Sequence, residues 1–290
     1  MTRFGVQLHG SFPMWEYPAL ARAVESHAVF TELTVHDVVW WRPVWPILAL
    51  VAEHTDRVLV GPDVTHPYLV HPAVTAQNLA ALDELSRSRA VLGVGRGSFL
   101  EPLGIRRAQS IGRVKGMVEE VQQLLAGTHP AAALSWKPPR PRVPVFLGAF
   151  GERMVAAAGG GWCDEVRPPG TWDTRYFEHL RGLLPAGVEL GCDVWVSLDS
   201  DRERARDLAR EQLARFLPQM KAMTDFYGVD PAAPITDEVL DLFFAAGSPA
   251  DIERGLARLL EAAPATVIFS GRLGPDPARA ISLLARATSF

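Results

Sequence analysis

The sequence is short of lysine, of cysteine and of long apolar runs. Lysine stands only at positions 115, 137 and 221, so nearly all of the 29 basic residues are arginine. Against 33 acidic residues they leave a formal net charge of −4. That balance offers no basic stripe of the kind a nucleic-acid partner needs. The two cysteines, Cys163 and Cys192, lie far apart without metal-type spacing. They are read as two buried thiols of a reducing cytoplasm rather than as a disulfide framework. No stretch reaches the roughly 18 apolar residues of a membrane span. The opening MTRFGVQLHG has no long apolar run after its basic residue, so no signal peptide is visible. The expectation is a soluble, cytoplasmic protein.

What is present is 290 residues with 48% hydrophobic composition, enough to bury the core of one large domain. Short apolar runs alternate with amphipathic segments. Strand candidates are 3–9, 29–35, 57–62, 90–95, 143–148, 163–167, 189–197 and 264–270. Between them lie helical patterns. HPAVTAQNLAALDELS carries apolar residues at 70, 73, 74, 79, 82 and 85. DSDRERARDLAREQLARFLPQM opens with cap residues and acids, and GSPADIERGLARLLEAA places Ser248 at the N-cap and Pro249 at the first helical position. Eight strands alternating with helices in this length predict an α/β fold, a (β/α)8 TIM barrel. A single domain over 1–290 is expected, with a loop-rich insertion at 127–142 and a small helical one at 228–247.

In such a barrel the chemistry sits where the strands end. Those ends are Gln7–His9, His36–Asp37, Asp63–His66, Arg96–Ser98, Gly148–Gly151, Arg167, Ser197–Asp199 and Ser270–Arg272. The stretch GPDVTHPYLVHPAV, 61–74, sets an acid, two histidines, a tyrosine and three prolines at the end of a core strand. VLGVGRGSF, 91–99, runs a strand into Gly93, Gly95 and Gly97, either for close approach to a ring or phosphate or simply as a tight turn. VPVFLGAFGERM, 143–154, offers Gly148, Ala149, Phe150 and Gly151 before a helix, a phosphate-binding arrangement that is equally an ordinary turn. In TVHDVVWWRP, Asp37 either orients a ligand or caps a helix, and Trp40, Trp41 and Trp45 either wall a flat ring or pack. Arg272, among Ser270, Gly271 and Gly274, is either solvated or placed for an anionic partner.

Taken in this order, these motifs resemble the bacterial-luciferase-like flavin and deazaflavin oxidoreductases, closest to the branch of coenzyme F420-dependent methylenetetrahydromethanopterin reductase. The resemblance rests on GPDVTHPYLVHPAVTAQNLAALDELSRSRAVLGVGRGSF (61–99) and VIFSGRLGPDPARAISLLA (267–285). It implies a bulge after the third strand with a non-prolyl cis peptide between Asp63 and Val64. Asp37, Asp63, Val64 and Thr65 would then meet the polar edge of the cofactor ring, Gly97 and Ser98 would flank it, and Gly148–Gly151 would hold its phosphate. Trp41, Tyr68 and Arg272 are candidate substrate contacts. Arg96, Arg167 and Arg272 could hold an anionic substrate or the cofactor tail. The apolar WPILALVA (45–52) serves either a homodimer, as the resemblance implies, or ordinary helix burial.

The departures are specific. Val38 follows Asp37 where the family often has histidine. Gln7 and Ser98 stand where methanopterin reductases carry acids, and Val38 and Ser98 differ from the glucose-6-phosphate dehydrogenases of the family. With those acids gone, His9, His36 and His66 become the candidate proton donors, since imidazole titrates near neutrality; each is also readable as a structural hydrogen-bonding histidine. The resulting expectation is an F420-dependent oxidoreductase delivering hydride to a C=N or activated C=C bond of a small-molecule or peptide-sized substrate. The alternatives are an FMN-dependent monooxygenase and a non-catalytic flavin-binding relative. The short 127–142 insertion suggests an open mouth.

Overall fold

The computed structural model describes residues 1–170 and 172–288. Ten strands are formed: β1 (Arg3–Leu8), β2 (Phe30–Val35), β3 (Leu59–Pro62), β4 (Leu92–Gly95), β5 (Val145–Gly148), β6 (Glu165–Arg167), β7 (Glu189–Leu190), β8 (Cys192–Leu198), β9 (Phe244–Gly247) and β10 (Thr266–Leu273). The helices are α1 (Tyr17–Glu25), α2 (Val44–Glu53), α3 (Pro72–Leu85), α4 (Ser110–Ala126), α5 (Glu152–Ala156), α6 (Thr174–Arg181), α7 (Arg202–Phe216), α8 (Lys221–Tyr227), α9 (Asp237–Phe243), α10 (Pro249–Glu261) and α11 (Pro277–Ala287).

All strand pairings are parallel. One sheet runs β3-β2-β1-β10-β8-β9 and the other β4-β5-β6-β7. Bridges from Val60 to Ala90 and from Thr65 to Val94 join β3 to β4, and one from Pro169 to Asp193 joins the far edges. Strands β7 and β8 are a single run interrupted only at Gly191. The result is a TIM barrel. The eight sequence-derived strands all form, displaced by a few residues at most at their ends.

The 228–247 segment is the correction. It was expected to be helical, but it is α9 followed by β9, which pairs with β8 from Trp195–Phe244 to Leu198–Gly247. Phe244 packs on Trp195 with ring centroids 5.3 Å apart. Two buried aromatic anchors and small alanines favour an extended run that a stretch this short does not announce by period. Residues 127–142 form a loop, tied down where Arg140 donates to both carboxylate oxygens of the buried Asp83, at 2.5 and 3.1 Å, and to Ala90 O.

Alternation along the strands divides two environments. Val6, Leu8, Leu33, Val35, Val60, Val94, Leu147, Val166, Val194, Val267 and Phe269 belong to the main apolar core. Many of their alternates are glycine or polar, among them Gly5 and Gln7, Glu32 and Thr34, Gly93 and Gly95, Glu165 and Arg167, while Phe146, Trp195 and Ile268 are apolar. Helix signals hold where caps are explicit. Asp201 accepts from the Glu203 and Arg204 amides to start α7, and Ser248 forms a capping box with Asp251 before α10. In α3 the expected apolar face is only partly buried: Leu79 and Leu82 are inside, while Val70 before the helix, Val74 and Leu85 are exposed. Most of α2's apolar residues are buried within the chain.

Candidate active site

The polar stretch after β3 is built around one valine. The Asp63–Val64 peptide is cis. The Val64 side chain occupies the space left by two glycines on neighbouring strands. A Cβ on Gly95 would lie 2.6 Å from Val64 Cγ2, and one on Gly148 would lie 2.9 Å from Val64 Cγ1. Glycine at both positions is therefore a packing requirement of the bulge. The Thr65 amide donates to Gly93 O and the Gly95 amide to Thr65 O, which knits the bulge into β4.

Above it opens a pocket at the C-terminal ends of the strands. Gln7, His36, Asp37, Asp63, Val64, Gly97, Ser98, Gly148 and Phe150 line it from β1 to β5. Asp193 and Trp195 of β8 close the other side with Phe216 and Met220. Arg96 and Arg107 stand at the rim of this lining, and Arg107 is anchored by Gly97 O at 2.8 Å and by Glu101.

The pocket presents unpaired buried polar atoms. Gln7 donates Nε2 to Asp63 O at 3.2 Å, but its Oε1 has no partner among the described residues. The same holds for His36 Nδ1 and Asp193 Oδ1. Asp63 accepts the Thr34 hydroxyl at 3.0 Å. Deeper in the barrel Arg167 spans to Glu32 at 2.5 and 3.0 Å and to Glu165 at 2.7 Å. Burial raises the Asp63 carboxyl, partly offset by Arg167 and Thr34. Burial, reinforced by Asp63, raises that of Asp193 well above the usual carboxylate range. Asp37, half-buried, is also raised by desolvation, against a hydrogen bond from Thr65.

The expected site residues divide. His36, Asp37, Asp63, Val64, Gly97, Ser98, Gly148 and Phe150 line the pocket, whereas Thr65, Ala149 and Gly151 are not among its lining residues. Asp37 does not cap a helix, since Pro43 precedes α2. His9 and His66 do not line the pocket. His9 is buried against Trp41, ring centroids 3.9 Å apart, with Nδ1 2.6 Å from Ser11 Oγ. Nδ1 of His66 accepts the Tyr68 amide. Desolvation lowers His9 to about 2 and both His36 and His66 to about 4, so all three are neutral at physiological pH. Trp41 and Tyr68 do not line the pocket; the Tyr68 hydroxyl donates to Ala108 O. Arg272 is exposed and outside the lining, and its amide donates to Gln212. Arg167, expected at the mouth, is instead sealed inside by its two glutamates, so it is not free to hold a substrate or a cofactor tail.

The sequence reading missed Asp193, Trp195, Arg107, Phe216, Gln219 and Met220. The mouth was expected to be short of acids; Asp193 corrects that. Its signal was available in CDVWV, an acid inside an apolar strand, since a buried acid is rarely accidental. The residues of 216–220 gave no signal, because only the tertiary fold brings the end of α7 over the barrel.

These features can be set beside known proteins. Residues 2–266 match the model of the luciferase-like monooxygenase family. The chain is 26% identical to a 5,10-methylenetetrahydromethanopterin reductase of Archaeoglobus fulgidus, with 98% of each chain covered. It is 29% identical to an F420-dependent glucose-6-phosphate dehydrogenase of Nakamurella multipartita over 76% of this chain and 75% of that one. The fold superposes on the coenzyme F420-dependent tetrahydromethanopterin reductase of Methanopyrus kandleri with a TM-score of 0.87 at 20% identity, covering 99% and 98% of the two chains. With the strand-end pocket and the Val64 bulge in place, the chain belongs to the luciferase-like monooxygenase family.

Proposed function

We propose that this protein is a coenzyme F420-dependent oxidoreductase that reduces a small organic substrate by hydride transfer. The observation that carries the reading is the pocket over Val64. It has Val64 and Gly148 on the bulge side, Trp195 and Phe216 opposite, and polar atoms of Gln7, His36 and Asp193 that are unpaired among the described residues. A planar heteroaromatic ring with a polar rim satisfies both requirements. The F420-dependent glucose-6-phosphate dehydrogenase of Nakamurella multipartita shares 76% of the chain, and the F420-dependent reductase of Methanopyrus kandleri shares the fold over 99% of it.

In this reading Val64, Gly95 and Gly148 support the ring face. Asp37, Ser98 and the backbone about Asp63 and Gly97 bind its polar edge, while Gly148–Gly151, Arg96 and Arg107 approach its phosphate-bearing arm. Helix α5 has only five residues, so its end adds little field and the arginines carry most of the charge. When bound, the deazaflavin supplies a two-electron hydride. The chain supplies alignment and a dry wall. Trp195, Phe216 and Met220 cover the opposite side, where an acceptor lies against the ring. The three histidines, neutral and in two cases walled off, serve as packing and hydrogen-bonding groups.

Equilibrium binding of F420 and of FMN to the purified protein tests this. Micromolar F420 binding without FMN binding is the expected result. FMN binding alone would move the protein to the oxygen-using side of the family, and binding of neither would overturn the cofactor reading. A homodimer and a cytoplasmic location complete the proposal, and sedimentation of the protein checks the first.

A further inference from the structure

We propose that Asp193 is the proton donor of this site, its carboxylic acid facing the acceptor so that the enzyme reduces neutral C=C, C=N or C=O bonds rather than preformed cations. The inference deepens the F420 reading and rests on it.

The argument begins with charge inside the barrel. Four buried carboxyl groups converge there: Glu32 on β2, Asp63 after β3, Glu165 on β6 and Asp193 on β8. One guanidinium, Arg167, lies among them, and its hydrogen bonds go to Glu32 and Glu165. Arg3 reaches Glu165 from the barrel's open base at 3.5 Å. Asp63 has the Thr34 hydroxyl. Asp193 is 4% exposed and its Oδ1 has no donor among the described residues. A buried carboxylate with no donor, beside a second acid, is the group for which ionisation is most costly. The proton therefore stays on Asp193, and the raised proton affinity argued above agrees with this arrangement.

Position gives the proton a use. Asp193 lines the pocket together with Trp195, on the wall facing the Val64 bulge. The histidines bind protons too weakly at neutral pH to act as acids. Asp63 lines the pocket too, and burial raises it as well, but only to about 6 because Arg167 and the Thr34 hydroxyl offset part of the effect.

The step balances. Hydride from the reduced deazaflavin adds to one end of the acceptor's double bond, which gains two electrons while the cofactor loses them. The π bond breaks and its electron pair moves to the far atom. The O–H bond of Asp193 breaks as a new bond forms between that atom and the proton. The carboxylate left behind regains a proton from water through the mouth. An iminium cation would need hydride alone and gain nothing from this acid.

The test uses the F420-loaded protein carrying carbon-13-labelled aspartate. Infrared spectroscopy at neutral pH is expected to show a protonated carboxyl band that shifts on F420 binding. The band should vanish in Asp193→Asn and persist in Asp63→Asn. Because it is read in the wild-type protein, a variant that does not fold leaves the test intact. In parallel the wild type is offered cyclohexenone, an N-aryl imine and an aliphatic aldehyde with reduced F420. Reduction of at least one is expected, with Asp193→Asn slowing it about 100-fold or more at unchanged F420 affinity. Absence of the band in the F420-bound protein, or reduction of none of the three, overturns the proposal. Failure to bind F420 while the band is present overturns the cofactor reading instead, so the two failures are distinguishable.

Discussion

Lowering the pH should load a defined cost onto His66, and the cost can be isolated. The side chain is buried, feels the charge of Arg107 and abuts Gly97. Burial, with Arg107 adding to it, lowers its pKa from 6.5 to about 4. The folded state thus binds its proton more weakly than the unfolded chain does. Stability is complete above about pH 6.5 and is lost as pH falls toward the folded value. Between about pH 7 and pH 5 the loss is about 2 kcal/mol from this one side chain, against about 5–15 kcal/mol for a whole domain. Asp63 and Asp193 act in the opposite sense, because their raised affinities stabilise the fold as pH falls. The wild-type profile therefore mixes both. His66→Asn separates them: the asparagine Oδ1 can accept the Tyr68 amide as Nδ1 does, at 3.3 Å in the native protein, but does not titrate. Urea unfolding followed by tryptophan fluorescence at the two pH values should show the variant gaining about 2 kcal/mol on the wild type as pH falls. A difference that stays constant across the range would refute the reasoning, since His66 would then titrate alike folded and unfolded.

Gly148→Ala should cost about 1–3 kcal/mol, because the new methyl meets Val64 and the bulge must shift. The same variant should weaken F420 binding, and unchanged unfolding and binding curves would show that the bulge has slack. Arg140→Leu strips Asp83 of its bidentate partner, and breaking a buried pair of this kind costs about 3 kcal/mol. Restoring much of that loss with a second change, Asp83→Asn, checks that the unpaired charge is the cause.

The barrel was legible in the sequence because apolar runs and caps recur at a strand–helix period, and because the runs face helices that need covering. The Val64 bulge was legible through resemblance, and its reason emerged from the structure as the two missing Cβ atoms at Gly95 and Gly148. Two things were not legible. A histidine at a strand end looks the same in sequence whether it faces the pocket, as His36 does, or turns behind Trp41, as His9 does. The interior charge balance was hidden as well, because Glu32, Asp63, Glu165, Arg167 and Asp193 come from four separate strands. The acid count of the pocket is a property of barrel closure, not of any local stretch.

Strand β9 has a consequence beyond the topology. It pairs with the far half of β8, while β6, three residues long, pairs with β7 and meets β8 near its start, around the Pro169–Asp193 bridge. The upper rim of the barrel is thus parted there and completed by β9 and the 216–220 segment, elements outside the eight-strand ring. The two halves of the pocket are therefore separable in the gene. The half over Val64 is distributed among β1 to β5 and constrained by their mutual packing. The facing half draws Phe216, Gln219 and Met220 from one continuous stretch; on the proposed reading, exchanging it by recombination or by design would change the acceptor and leave the seat of the cofactor as it is.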